Sequence, residues 1–145
     1  MSEWADRHRD EVVAEAVRPQ EIENLLHVAA RDLEDAGVPA SLDARFVRAY
    51  QACLTIARAA LRAHGYRLRS PAHHYLAIGS LAYTMGLGSE QIERLQVLRA
   101  RRATAEYDMV GVVTDADLRE AQRLAEQLRR ALQARIRKEK PELLP

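Results

Sequence analysis

Arg45-Phe46-Val47-Arg48-Ala49-Tyr50-Gln51-Ala52-Cys53-Leu54-Thr55-Ile56-Ala57-Arg58-Ala59-Ala60-Leu61 is the stretch that decides the fold. Phe46, Ala49, Tyr50, Cys53, Leu54, Ile56, Ala57, Ala60 and Leu61 recur at helical steps and form one wide apolar face. A face that broad calls for more than one packing neighbour. Ser41 suits the N-cap of this helix, and Gly65 closes the run. Cys53 reads as a buried small hydrophobe, and Tyr50 as a core residue whose hydroxyl reaches a polar partner.

Working outward, Ile22, Leu25, Leu26, Ala29, Ala30 and Leu33 repeat at three and four between Pro19, suited to a first helical turn, and Gly37. Ser70-Pro71 reads as a cap followed by proline at the first position of a helix running to about Met85. That helix carries no charged side chain, so it is expected to be buried in the domain or at a partner surface. Gly86 and Gly88 break it, and Ser89-Glu90 opens the next. Thr114 with Asp117 resembles a capping box for a last helix over about 115 to 139, with a narrow stripe of Leu118, Ala121, Ala125, Leu128, Leu132 and Ile136. Nothing reads as a strand.

The expected fold is therefore all-α: an antiparallel bundle of four long helices and a shorter one over residues 19–140, with a tail at 141–145. Residues 1–18 read as a short helix packing on the bundle or as a mobile arm. The composition fits, with 48% hydrophobic residues but only 5% aromatics, so Leu, Ala, Val and Ile must fill the core. One cysteine allows no internal disulfide and no cysteine metal cluster. The absence of a signal-peptide pattern at Met1–Arg7 and of a membrane-length apolar run implies a cytoplasmic protein without a membrane partner. No cofactor is expected.

Charge is uneven along the chain although the net is +1. Residues 1–36 carry ten acids against four arginines, and residues 37–69 carry six arginines (45, 48, 58, 62, 67 and 69) against Asp43. The sign change reads as complementarity between antiparallel neighbours, with a phosphate-binding basic surface as the alternative.

The densest candidate for chemistry is Arg99-Ala100-Arg101-Arg102-Ala103-Thr104-Ala105-Glu106-Tyr107-Asp108. On a helical wheel Arg102 falls between Leu95, Leu98 and Ala105, so it points toward the packed side, where a guanidinium needs a partner. Glu106 at i+4 offers a purely structural ion pair. Tyr107 lies about 140° away and faces elsewhere in a straight helix. His73 and His74 can in principle bind metal, but no carboxylate or cysteine is near them in sequence. They read as one exposed and one packing or capping residue.

The pattern resembles the HEPN superfamily, helical-bundle proteins whose ribonuclease members carry an arginine, four to six residues, then a histidine. The likeness rests on Arg45 to Leu54, Ala57-Arg58-Ala59-Ala60-Leu61, Gly65-Tyr66, His73-His74, Arg101-Arg102 and Glu106-Tyr107-Asp108, and covers roughly residues 20 to 138. It implies a homodimer, or a partner resembling a nucleotidyltransferase in a toxin–antitoxin or defence locus. It also implies contact with RNA, a nucleotide or protein through Arg99, Arg101, Arg102, Glu106, Tyr107 and Asp108. The nuclease histidine is missing: Tyr107 stands there, and no histidine follows His74. A tyrosine, with a pKa near 10, is a poor general base. Three functions follow as expectations: a HEPN-like binding module, a ribonuclease using Arg102 and Tyr107 as catalytic candidates, or a scaffold in which Arg102 is structural.

Overall fold

The computed structural model describes residues 1–107 and 111–144, with the side chains of Ala105, Glu106 and Tyr107 excepted. Among the described residues the order is α1 (Ser2–Arg7), β1 (Val12–Ala14), α2 (Pro19–Ala36), α3 (Leu42–Ala63), β2 (Tyr66–Leu68), α4 (His74–Thr84), α5 (Ser89–Tyr107), α6 (Asp115–Glu139) and a 3₁₀ turn at Pro141–Leu143. The fold is all-α.

The wide face of α3 makes it the central helix. It packs against α2 and α6 most extensively and also against α4 and α5. Tyr50, Phe46, Ile56 and Ala57 on it are wholly buried. Polar contacts fix the directions. Arg48 near the start of α3 meets Asp32 near the end of α2, and Arg62 near its end meets Glu21 near the start of α2, so the two helices run antiparallel. Arg94 and Arg101 on α5 meet Glu120 and Asp117 on α6, again antiparallel. Helix α6 follows α3 in the same sense, with the Cys53 thiol against the Ala121 carbonyl and Lys140 donating to the Ala63 carbonyl at 2.6 Å.

Local signals set most of the boundaries. The Ser41 hydroxyl accepts from the Ala44 N–H, and Thr114 and Asp117 cap each other reciprocally. Pro19 opens α2 and Gly37 caps its end.

Two expectations are corrected. The first concerns strands: Val12–Ala14 pairs antiparallel with Tyr66–Leu68 in the register Val12↔Leu68, Val13↔Arg67 and Ala14↔Tyr66. Three residues are too few for a period-two signal, and this ribbon forms only because α2 and α3 bring its two halves to the same end of the bundle. Gly65, at φ +84°, makes the turn out of α3 that an L side chain would strain. The second concerns Pro71, which does not start the fourth helix; α4 begins at His74. Ser70 accepts from the Ala72 N–H in a local turn instead, and Arg58 donates to the Pro71 carbonyl at 2.6 Å. The chain leaving β2 must turn before it can run back along α3, and these bonds hold that turn.

The N-terminal residues are built into the domain. Trp4 is only 4% exposed, with its ring 6.1 Å from that of Tyr83. The uncharged helix α4 buries Ala77, Ile78, Ser80, Leu81 and Thr84 and turns Tyr75 and Tyr83 outward, with Tyr75 63% exposed. Leu143 in the terminal 3₁₀ turn is buried. No helix among the described residues is long and apolar enough to cross a membrane.

Candidate functional site

Helices α4 and α5 run antiparallel, which brings the start of α4 beside the second half of α5. The Gln96 side chain donates to the Tyr75 carbonyl across this seam at 3.1 Å. Between the two helices lies a pocket of about 570 Å³, lined by Pro71, Ala72, His73, His74, Tyr75, Leu76, Arg99, Arg102 and Ala103. Among the described residues, none of those lining it is a carboxylate.

The arginines are positioned by their neighbours on α3, α4 and α5. Arg99 donates to the Gln96 side-chain oxygen at 2.8 Å, and its guanidinium carbon stands 5.5 Å from the centre of the Tyr75 ring. Arg102, half-buried as the helical wheel requires, sits with its guanidinium 6.0 Å from the centre of the Tyr50 ring. Both contacts fall within the range in which an aromatic face attracts a cation. Tyr50 in turn meets Nδ1 of His74 at 3.2 Å, which supplies the polar partner its buried hydroxyl needs. Burial pushes the Tyr50 hydroxyl up to about 12, against the opposing pull of Arg102, Arg99 and Arg58. The phenol therefore stays a neutral hydrogen-bonding group at physiological pH.

Chemically the pocket offers two guanidiniums, two imidazoles and the first turn of α4, where helix geometry favours negative charge. That set suits a phosphate or another compact anion. His74 lines the same pocket as Arg102. Among the described residues no three His, Cys, Asp or Glu side chains converge as a metal site would require.

The residues singled out from sequence divide. Arg99 and Arg102 share the pocket. Arg101 faces another way and pairs with Asp117 of α6 at 3.5 Å, so the structure uses it to tie α5 to α6. The side chains of Glu106 and Tyr107, and the whole of Asp108, lie outside the described residues. Sequence reasoning did not join His74 and Tyr50 to Arg102. The three sit on different helices, and the apolar pattern of α3 marked Tyr50 as a core residue whose hydroxyl reaches a polar partner without saying which. The one available signal was that a buried tyrosine needs a polar partner.

No known protein family, curated protein or solved structure matches the chain.

Proposed function

We propose that the protein is a HEPN-like helical module that binds the phosphates of RNA or a nucleotide in the α4–α5 pocket, with Arg99 and Arg102 as the main contacts. The observation that carries this reading is a concave site between α4 and α5 that Arg99 and Arg102 line together with His73 and His74. The HEPN resemblance, which itself includes Arg102, points the same way. The exposed Tyr75, Tyr83 and Val97 lie on α4 and α5, the helices that frame the pocket. They offer exposed apolar surface on these two helices that a second copy of the chain, or a nucleotidyltransferase-like partner, would cover.

Binding of a fluorescent single-stranded RNA, followed by anisotropy over a range of salt, tests the proposal. The double variant Arg99→Ala/Arg102→Ala is expected to lose about tenfold or more in affinity and to flatten the salt dependence, by about 0.7 in slope for each phosphate contact removed. Unchanged binding by a folded double variant sinks the reading. A variant that fails to fold assigns the arginines to the scaffold role instead.

A second reading, cleavage of the bound RNA, is favoured by one observation: His74 shares the pocket with Arg102. In this reading Arg102 stabilises charge on the phosphate and His74 moves the proton that Tyr107 is poorly suited to move. The same RNA, end-labelled, reports it. Cleavage no faster than in buffer, or cleavage that survives both Arg102→Ala and His74→Gln, rules it out.

A further inference from the structure

The arginines of residues 37–69 are not all accounted for by neighbouring acids. Arg45 donates to the Ala36 carbonyl at 2.8 Å, Arg48 meets Asp32, Arg62 holds Glu21, and Arg67 meets Glu15 at 3.0 Å. Like Arg45, neither Arg58 nor Arg69 has an ion-pair partner among the described residues; Arg58 donates to the Pro71 carbonyl. Both open onto one cavity, about 480 Å³ in volume, on the far side of Pro71 from the α4–α5 pocket.

The rest of that cavity is greasy. Leu25 of α2, Leu61 of α3, and Tyr66 and Leu68 of β2 line it. Of its charged lining residues, four are arginines and only Glu21 is acidic, and Glu21 is already held by Arg62 at 3.1 and 3.3 Å. The Arg62 guanidinium beside Glu21 keeps that carboxyl below its ordinary value, so it stays ionised and paired. Arg58 is partly withdrawn from water, and this burial pulls its own pKa down. A half-buried guanidinium has five N–H donors, and an anion that uses several of them offsets the cost of that burial.

The geometry points to a second ligand site: the cavity between α2, α3 and β2 binds a small amphipathic anion, with its acidic head between Arg58 and Arg69 and its apolar body against Leu25, Leu61, Leu68 and Tyr66. Its size falls in the range of about 300–1,000 Å³ typical of small-molecule sites. An apolar wall lined also by arginines disfavours cations, and it selects against neutral apolar compounds by head-group contact rather than by area. The site stands apart from the α4–α5 pocket, sharing only Pro71 with it. The inference therefore holds whether or not that pocket binds RNA.

The probes are octanoate, octyl phosphate, octanol and octylammonium, each titrated into the full chain and followed by backbone-amide NMR. Octanoate or octyl phosphate is expected to shift the amides of Leu25, Leu68 and Arg69 saturably, and the tighter of the two identifies the natural head group as carboxylate or phosphate. Octanol should bind about tenfold more weakly or worse, as expected from losing a charge-assisted hydrogen bond. Octylammonium should not bind. Arg69→Ala, at an exposed side chain whose backbone N–H still donates to Glu11, leaves the fold intact and should weaken the anions about fivefold while sparing octanol. Leu25→Gln should weaken anions and octanol alike. Equal affinity for octanoate and octanol overturns the inference, as does anion binding unaffected by both substitutions or shifts centred elsewhere.

Discussion

Around Arg62 the structure brings acceptors together from several segments; around Arg99 it supplies one side-chain oxygen, that of Gln96, and the ring of Tyr75. Arg62, 5% exposed, donates to both carboxylate oxygens of Glu21 and to the backbone carbonyls of Glu15, Ala16 and Tyr66. One side chain thus ties together the start of α2, the residues that follow β1 and the first residue of β2. Arg99 on α5 is held less tightly, with the Gln96 side chain and the Tyr75 ring as neighbours. The same residue type builds a joint where acceptors converge on it and a receptive surface where they do not. Neither the count of arginines nor their spacing decides between the two; the partners brought up by the fold do.

The largest way to break this comparison is at Arg62. Arg62→Ala leaves three carbonyls and the Glu21 carboxylate without their donor, and it is expected to destabilise the protein by about 3–5 kcal/mol, the range for breaking a buried ionic contact. Urea unfolding measures it. A loss under about 1 kcal/mol would mean that water replaces the guanidinium readily, and the contrast with α5 would dissolve.

A middle-sized effect probes the floor of the α4–α5 pocket. Tyr50 has its folded-state value raised to about 12 from an ordinary value near 10, and Cys53 on the same helix is raised to about 12 by burial. For a group raised in the folded state, stability is complete below the unfolded value and is lost as pH climbs through the folded one. The protein should therefore weaken between about pH 9 and 12, with Tyr50 accounting for up to about 2.7 kcal/mol. Tyr50→Phe should lose about 1 kcal/mol at pH 8, from the hydroxyl contact with His74, yet show a shallower alkaline decline. Urea midpoints from pH 8 to 11.5 for the two proteins check this. Parallel curves would mean that the tyrosine hydroxyl is not what the alkaline solution attacks.

The smallest expected effect sharpens the comparison from the other side. Arg99→Ala removes an intrahelical hydrogen bond and a cation–ring contact, and it should change stability by less than about 1 kcal/mol. A thermal melt within a few degrees of the parent is the expected result. A loss approaching that of Arg62→Ala would place Arg99 among the joints.

Much of the fold was legible because the deciding signals are local. Pro19, Gly37, Ser41 and the Thr114–Asp117 box act within one helical turn, and the helices begin or end where those residues say. The wide face on α3 announced a central helix, and α3 packs against four others. The ribbon was invisible because Val12 and Leu68 carry no message about each other. The start of α4 was misplaced because Ser70-Pro71 is equally good as a turn, and Arg58, distant in sequence, selects the turn. Of the candidate site, the inward aim of Arg102 was legible from Leu95 and Leu98, which are both buried. The company of His74 and Tyr50 was not, since it depends on three helices meeting.

The two-stranded ribbon has a consequence for chain entropy. Pairing Ala14 with Tyr66 closes a loop of about fifty residues, and for a flexible chain the cost of closure grows with the logarithm of its length. Here the loop is not flexible. It is the α2–α3 hairpin, whose antiparallel helices already set its two ends side by side. Once that hairpin exists, the ribbon closes over only the few residues outside it. An element of three residues per strand, too short to hold itself together, persists because two long helices have removed nearly all the freedom its formation would otherwise cost.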